Sequence, residues 1–463
     1  MKKNSVLAHH GYGLEKSGLT AEEQADLRAM LTVSPKVNPN VTYGAAAAVP
    51  EYPLYRESPR RLYVPRAFGL ARYGPPARDQ IGEGDPAPGL AFEGQLRPAQ
   101  EPAVAAFMAA ARDPAKRGGL IVVGCGGGKT VMAIHIACLL GRKTLIVAHK
   151  GFLLEQWRER LAQYAPAARV GTIKQAKVDV VDKDVVLASL QSVAMREYPA
   201  EAFAGVGLVV VDECHHIAAE VFSRALPLLT SAYALGLSAT PERRDGLSRV
   251  FNWFLGEAVF VGERRADAAV HVRMLDYAAA HPRGSADPAD AAYGTEHWIG
   301  FGRKQQRNTA RMVNEIAACP SRNAFLVGAL MDARAANPGR RAIVLSERRL
   351  QLDDIERRLR AAGVDSVGQY VGGKKQKDLD VAATKDVLLG TFAMAAEGMD
   401  IPDLGLLLLA SPTGDVEQAV GRVRRRAGVT AHVLDVNDGY GHFRGMAARR
   451  AKFYKAERFE VAH

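Results

Sequence analysis

Short, almost wholly apolar segments recur along the chain from about residue 92, and a helix-like pattern separates each from the next. Strands that are covered by helices on both faces of a parallel sheet are apolar along their whole length. The alternation of such strands with helices is typical of βαβ units. The pattern therefore predicts an α/β fold. The predicted strands span residues 120–123, 144–148, 185–188, 208–211 and 235–237 in a first series, and 342–345, 367–371, 387–389, 406–409 and 432–436 in a second.

The two series predict two tandem lobes, each built around a parallel sheet. A chain of 463 residues is long enough for two or three domains. We place the first lobe at residues 91–256 and the second at 257–463, with an irregular excursion at about 278–300. Residues 1–90 are rich in Pro, Gly, Tyr and Arg and predict a small α+β accessory region. One helix is expected there, because Thr20 and Glu23 have the spacing of a capping box.

Composition restricts the class of protein and of partner. The hydrophobic fraction of 48% and the charged fraction of 24% are those of a globular protein. The net charge of +11 favours a polyanionic partner such as nucleic acid. No apolar run approaches the roughly 18–20 residues that a membrane span needs, so no membrane partner is expected. The cysteines show no paired metal spacing and are expected to be reduced thiols in a cytosol-like compartment: Cys125, Cys138, Cys214 and Cys319.

A glycine-rich segment follows the first predicted strand and precedes a predicted helix, which is the context of a phosphate-binding P-loop. Backbone N–H groups of such a loop surround phosphates, and the helix N-terminus adds partial positive charge. We expect Lys129 to reach the β- and γ-phosphates and the Thr130 hydroxyl to bind Mg²⁺. The first position of the usual motif is Val123 instead of glycine. The glycines of the segment are Gly124, Gly126, Gly127 and Gly128.

Two carboxylates follow the fourth apolar strand of the first series. Phosphoryl transfer from ATP to water needs a carboxylate that holds Mg²⁺ and a group that orients the attacking water. Asp212 suits the metal and Glu213 suits the water. The alternative is that both acids cap a strand end and are solvated and inert. Their combination with a P-loop favours the catalytic interpretation, with Cys214 as a small buried side chain.

These segments, in this order, resemble superfamily 2 helicases with a DEAD/H-type box, from about Phe92 to the end of the chain. Within that superfamily, the chain is most similar to the XPB-like and the phage- or virus-encoded DNA helicases, because residues 242–246 (Glu-Arg-Arg-Asp-Gly) follow a Ser-Ala-Thr segment at 238–240. The resemblance implies two RecA-like lobes with ATP and Mg²⁺ between them. It also implies movement towards the 5′ end of the tracked strand.

The resemblance also assigns roles residue by residue. Arg97 and Gln100 would contact adenine, and Gly398 and Asp400 would contact the nucleotide from the second lobe. Gln418, Arg422 and Arg425 match a Gln-x-x-Gly-Arg-x-x-Arg motif, in which arginines stabilise charge on the transferred phosphoryl group. His215, Ser238 and Thr240 would couple ATP chemistry to strand movement. The residues expected to contact nucleic acid are His149, Lys150, Gln156, Ser189, Gln191, Arg243, Ser346 and Thr391.

The sequence therefore predicts an ATP-dependent DNA helicase or translocase that uses ATP and Mg²⁺ and binds DNA in preference to RNA. The resemblance implies a cytoplasmic location, in a bacterium or in the host of a virus. Three alternatives stay open at this point: an RNA helicase, a motor subunit of a restriction or recombination complex, and an adaptor that binds ATP without hydrolysing it. Residues 1–90 either bind duplex DNA or pack as a strap on the first lobe. The basic C-terminal segment either extends the nucleic-acid track or is a solvated helix face.

Overall fold

The computed structural model divides into two compact units, Met1–Arg264 and Arg265–His463. It describes residues 4–34, 51–124, 126–149, 151–214, 221, 224–239, 248–262, 269–277, 287–300, 305–396, 401, 403–424 and 429–463. None of the helices in these ranges is long and apolar enough to cross a membrane.

Among its described residues, the first unit begins with a five-stranded sheet, a separate two-stranded sheet and two α-helices. The five-stranded sheet has the strand order β5-β6-β2-β1-β7. The capping box is confirmed: Thr20 Oγ1 accepts a hydrogen bond from Glu23 N at 3.1 Å, and Glu23 Oε2 accepts one from Thr20 N at 2.8 Å. The elements are β1 (Val6–Ala8), β2 (Gly11–Glu15), α1 (Ala21–Met30), β3 (Thr32–Val33), β4 (Tyr52–Pro53), β5 (Arg56–Glu57), β6 (Arg61–Val64), α2 (Arg66–Tyr73) and β7 (Arg78–Asp79).

A larger sheet forms the rest of the first unit. Its order is β11-β10-β12-β9-β13-β14-β8-β15, and all pairs except β10–β11 are parallel. Apolar clusters cover both faces. The elements are α3 (Glu101–Arg112), β8 (Gly118–Val122), α4 (Lys129–Leu140), β9 (Thr144–Ala148), α5 (Gly151–Tyr164), β10 (Val170–Lys174), β11 (Lys177–Asp179), β12 (Val185–Ser189), α6 (Leu190–Met195), β13 (Leu208–Val211), β14 (Tyr233–Ser238), α7 (Ser248–Leu255) and β15 (Ala258–Val261).

The N-terminal region packs directly on this sheet layer. Helix α2 contacts α7, and the Phe68 ring meets the Trp253 ring edge-on at 5.8 Å. Arg66 is almost fully buried, and its Nη2 donates to the carbonyl oxygens of Arg117 at 2.9 Å and Ala232 at 2.6 Å. These contacts favour the interpretation of residues 1–90 as a strap on the first lobe.

The second unit contains one parallel sheet of the order β20-β21-β19-β22-β23-β16-β24. Its elements are β16 (Val270–Tyr277), α8 (Pro288–Ala292), β17 (Trp298–Ile299), β18 (Gln306–Arg307), α9 (Thr309–Ala318), α10 (Pro320–Ala336), β19 (Arg341–Ser346), α11 (Arg349–Ala361), β20 (Val367–Tyr370), α12 (Gln376–Ala383), β21 (Val387–Thr391), α13 (Phe392–Ala396), β22 (Leu404–Leu409), α14 (Glu417–Val423), β23 (Ala431–Asp438), α15 (Gly441–Ala456) and β24 (Glu460–Ala462).

The predicted α/β fold with two parallel sheets is confirmed, and two local details differ. Strand β15 adds to the edge of the first sheet, so that sheet extends beyond residue 256, where we placed the end of the first lobe. The predicted excursion at 278–300 lies partly outside the described residues, and its described part holds α8 and β17, which the Ala- and Pro-rich composition concealed.

The basic side chains of the C-terminal helix are not all exposed to solvent. Arg450 is buried and forms hydrogen bonds to both oxygens of Asp435, at 3.0 and 2.9 Å. Tyr454 donates to the same carboxylate at 2.8 Å. Arg450 therefore attaches α15 to β23, whereas Arg444 and Arg449 are exposed.

The buried carboxylate of Asp184, directly before β12, is expected to stabilise the first unit, and this contribution can be measured. Asp184 accepts hydrogen bonds from Arg169 N, Nε and Nη2 at 2.9–3.0 Å, and its side chain is 0% exposed. The Arg169 hydrogen bonds hold the pKa of Asp184 below its usual value. Asp184→Asn should lower the free energy of unfolding at pH 7 by about 1.5–3 kcal/mol, the range for hydrogen bonds to charged groups.

Because the folded-state pKa is depressed, this stabilisation is present above the unfolded value of 3.8 and is lost as the pH falls through the folded value. Urea unfolding from pH 7 to pH 3 should therefore show the difference between wild type and Asp184→Asn shrink in acid. Asp182→Asn, in the same turn but exposed, is the control. A difference of equal size for both variants would contradict the assignment.

Candidate functional site

The P-loop lies at the carboxyl end of β8, directly before α4. Gly126 and Gly128 have left-handed φ angles of 78° and 83°. A Cβ on Gly127 would lie 2.1 Å from Val123 Cγ1. Glycine is therefore required at these positions by backbone conformation or by space. The tight turn brings the backbone to the N-terminus of a 12-residue helix, where N–H groups and the helix dipole favour an anion.

Arg97 and Gln100 lie against this loop. Gln100 Nε2 donates to the carbonyl oxygens of Gly127 and Gly128, each at 3.3 Å, and its Oε1 accepts from Arg97 N at 2.8 Å. Arg97 Nη2 donates to the carbonyl oxygen of Gly126 at 3.2 Å. Both residues thus support the P-loop backbone. Their contact with adenine stays a prediction.

The parallel sheet brings the predicted catalytic groups together, because the carboxyl ends of its strands meet at one edge. Asp212 and Glu213 directly follow β13, and Lys129 begins the helix after β8. Lys129 Nζ donates to the carbonyl oxygen of Val123 at 3.1 Å and lies 3.4 Å from Glu213 Oε1. Glu213 has a left-handed φ of 45°, a conformation that L-residues rarely adopt.

The Asp212 side chain is only 6% exposed, and its carboxylate accepts two hydrogen bonds. Its Oδ1 accepts from Glu213 N at 2.9 Å, and its Oδ2 accepts from Trp157 Nε1 at 2.8 Å. Burial, and secondly the charge of Glu213, raise the pKa of Asp212 to about 6. The hydrogen bond from Trp157 and the charge of Lys129 act in the opposite direction.

These residues fit a magnesium ion. A buried carboxylate with a raised pKa lacks full compensation for its charge, and a divalent cation would supply it. Mg²⁺ prefers oxygen ligands and usually takes one or two carboxylates together with substrate phosphates. Asp212 offers a carboxylate, and Thr130 offers a hydroxyl at the second position of α4. No group of three or more metal-binding side chains exists among the described residues, so the phosphates would have to complete the site.

Of the predicted strand-contacting and coupling residues of the first unit that the structure describes, Ser189 and Ser238 end strands at the carboxyl side of the sheet, and Gln156 and Gln191 lie on helices. Ser189 ends β12 beside Ala148, which ends β9. Ser238 ends β14 and is buried. His149 and Gln156 are half-buried, and Gln191 is exposed on α6. Lys150, His215, Thr240 and Arg243 lie outside the described residues.

In the second unit, the predicted residues differ in their exposure. Ser346 is 0% exposed, donates to Gln351 Oε1 at 2.6 Å and accepts from Arg348 N at 3.0 Å. Its hydroxyl is thus engaged inside the unit next to the start of α11, which does not support a direct contact with nucleic acid. Thr391 is half-buried at the end of β21. Gln418 and Arg422 lie on α14, and Arg422 is buried. Gly398, Asp400 and Arg425 lie outside the described residues.

Sequence reasoning missed the link between Trp157 and the metal-binding carboxylate. The sequence placed Gln156 in a strand-contacting segment, in which the neighbouring Trp157 would be an ordinary core side chain. The ring is indeed in the core, but its N–H has a specific partner 55 positions away. No local pattern in the sequence marks that partner.

Comparison with known proteins supports the interpretation of this site. A family model described as the res subunit of type III restriction enzymes matches residues 93–243, which include the P-loop and both carboxylates. A protein of Acanthamoeba polyphaga mimivirus, named as an ATP-dependent RNA helicase, is 28% identical over 463 residues, which are 98% of this chain and 86% of the viral protein. The DNA 3'-5' translocase XPB2 of Sulfurisphaera tokodaii is 32% identical over 170 residues, 36% of this chain and 35% of that protein.

These matches support a superfamily 2 helicase of the XPB-like and viral branch, an enzyme that hydrolyses ATP and binds nucleic acid. The fold is shared with S. cerevisiae Dbp5 bound to RNA and ADP BeF3, which is 14% identical with a TM-score of 0.55 over 80% of this chain and 90% of Dbp5. This likeness to Dbp5 confirms the predicted fold of two RecA-like lobes.

Gly128 of the P-loop and Gly328, which is exposed on α10 of the second unit, give a matched pair of variants. A Cβ on Gly128 would lie 2.1 Å from Gln100 Nε2 and would sit on a left-handed residue, whereas a Cβ on Gly328 would meet nothing within 4 Å. Gly128→Ala should lower ATP turnover by about tenfold or more, because a left-handed L-residue costs about 1–2 kcal/mol before any steric clash.

Steady-state phosphate release would measure this effect, with Gly328→Ala as the control that keeps near wild-type turnover. If Gly128→Ala and Gly328→Ala turned over ATP equally fast, the tight P-loop geometry would not matter for catalysis.

Proposed function

We propose that this helicase is a DNA-dependent ATPase that moves along or remodels DNA, with Mg·ATP bound at the P-loop of the first unit. The observation that carries the proposal is the meeting of Lys129, Asp212 and Glu213 at one sheet edge, with Lys129 Nζ 3.4 Å from Glu213 Oε1. Asp212 and Thr130 would hold a magnesium ion, whose charge would offset the negative charge of the phosphates.

Each residue at this edge has a proposed task. Lys129 pairs with Glu213 in this structure, and bound β- and γ-phosphates would compete for its ammonium group. Once Lys129 binds the phosphates, the Glu213 carboxylate would accept a hydrogen bond from the attacking water and so orient it. The Thr130 hydroxyl and the Asp212 carboxylate would hold the metal. Gln418, Arg422 and Arg425 are proposed to act on the nucleotide from the second unit, as the family motif implies.

Support for DNA as the substrate comes from the similarity of the chain to the XPB-like branch. XPB2 of Sulfurisphaera tokodaii is named as a DNA translocase, and its match is 32% identical. The net charge of +11 suits either nucleic acid. A specific observation favours the second candidate, an RNA helicase: the mimiviral protein that matches 98% of this chain carries that name.

Glu213→Gln tests the role of the proposed water-orienting group. This variant should bind ATP and lose at least about two orders of magnitude in turnover, the scale on which a positioned acid–base group contributes. ATP binding by filter retention and turnover by phosphate release would be measured together. Glu201→Gln, an exposed acid in the same unit, is the control. Hydrolysis that persists in Glu213→Gln would show that another residue orients the water.

Stimulation of turnover by nucleic acid distinguishes the two candidates. We expect single-stranded or forked DNA to raise the ATPase rate more than single-stranded RNA of the same length and sequence. Contacts with phosphates should make this stimulation fall steeply between about 50 and 200 mM salt. A helicase that responds to RNA alone would overturn the proposed DNA preference and establish the second candidate.

A further inference from the structure

The indole of Trp157 connects two parts of the first unit that the proposed function treats separately. Trp157 is 1% exposed and lies on α5, next to Gln156, in the segment predicted to contact the nucleic-acid strand. Its Nε1 donates to Asp212 Oδ2 at 2.8 Å. The partner is the carboxylate to which we assign the metal, at the end of a different strand.

This hydrogen bond fixes how the carboxylate is oriented. A terminal carboxylate rotates over a broad range when nothing holds it. Asp212 is held at both oxygens, by Glu213 N at 2.9 Å and by the indole N–H. Hydrogen bonds from such supporting groups set the geometry of metal-binding carboxylates, and their loss typically weakens metal binding about 10–100-fold.

Packing holds the indole itself in place. The ring lies in the apolar cluster that also contains Leu153, Leu161 and Ile146. Side chains from neighbouring turns of α5 and from the central strand β9 thus surround the indole ring and restrict its movement. Phenylalanine at position 157 would keep an aromatic ring in this cluster and would remove the N–H donor.

We propose that Trp157 is a positioning residue, which holds the Asp212 carboxylate in the orientation that binds Mg²⁺ and does so from the helix that carries Gln156. The proposal rests on the proposed function, because it takes Asp212 as the metal ligand. It adds a direct hydrogen bond between the helix predicted to contact nucleic acid and the proposed metal ligand.

The first test is the magnesium dependence of Trp157→Phe. The magnesium concentration for half-maximal ATP turnover should rise about tenfold or more. Turnover at saturating magnesium and ATP binding in EDTA should stay near wild type. Trp253→Phe is the matched control, because its ring packs on Phe68 of the N-terminal region at 5.8 Å. An unchanged magnesium requirement in folded Trp157→Phe would overturn the proposal.

A second test keeps Trp157 in place and therefore does not depend on how well the Phe variant folds. The chain has three tryptophans, so Trp253→Phe with Trp298→Phe leaves Trp157 as the only one. In this protein, made with Glu213→Gln to prevent turnover, adding Mg²⁺ to the ATP-bound form should change the Trp157 emission. The change should disappear in Asp212→Asn. Emission that does not respond to Mg²⁺ would overturn the proposal.

Asp212→Asn also distinguishes a failure of the proposed function from a failure of the proposed role of Trp157. If Asp212→Asn retains a wild-type magnesium requirement for turnover, the assignment of Asp212 as the metal ligand fails, and the proposed function must be revised. If Asp212→Asn loses magnesium-dependent turnover while Trp157→Phe behaves as wild type in both tests, the metal site stands and only the positioning role of Trp157 fails.

Discussion

The burial of one carboxylate charge at the end of β13 constrains the whole nucleotide site. Asp212 is 6% exposed, and a buried carboxylate is costly unless donors or cations surround it. The neighbouring elements meet that need in part: α5 supplies the Trp157 N–H, and the turn after β13 supplies the Glu213 N–H. These hydrogen bonds do not fully offset the burial of the charge, because burial still raises the pKa of Asp212 to about 6. A divalent cation bound together with phosphate would supply the missing positive charge.

The sheet and the P-loop could be predicted from the sequence because both depend on local pattern. Strands buried on both faces are continuous apolar runs, and the P-loop needs glycine wherever φ is left-handed or space is lacking, as at Gly126, Gly127 and Gly128. Parallel connectivity then forces Lys129 and Asp212 to the same edge, although 83 positions separate them in the chain. That is why the core of the candidate site followed from spacing and order alone.

The parts that could not be predicted depend on side-chain hydrogen bonds between distant positions. Trp157 with Asp212, Arg450 with Asp435 and Arg66 with the carbonyl oxygen of Ala232 have no signature in local composition. Exposure is equally hard to predict: Ser346 was expected at the nucleic acid and is fully buried. The same limit applies to the N-terminal region, whose aromatic and arginine content suited either nucleic acid or packing, and whose described contacts favour packing.

We propose that the P-loop and Asp212 form a site for Mg·ATP, and direct binding tests this proposal without any assumption about nucleic acid. Isothermal titration of an ATP analogue that is not hydrolysed, with Mg²⁺, would be compared for wild type, Lys129→Ala and the exposed control Lys116→Ala. We expect Lys129→Ala to weaken binding by about tenfold or more, because a charged hydrogen bond is lost, and Lys116→Ala to bind as wild type. Equal affinity for wild type and Lys129→Ala would show that Lys129 does not bind the phosphates at this loop.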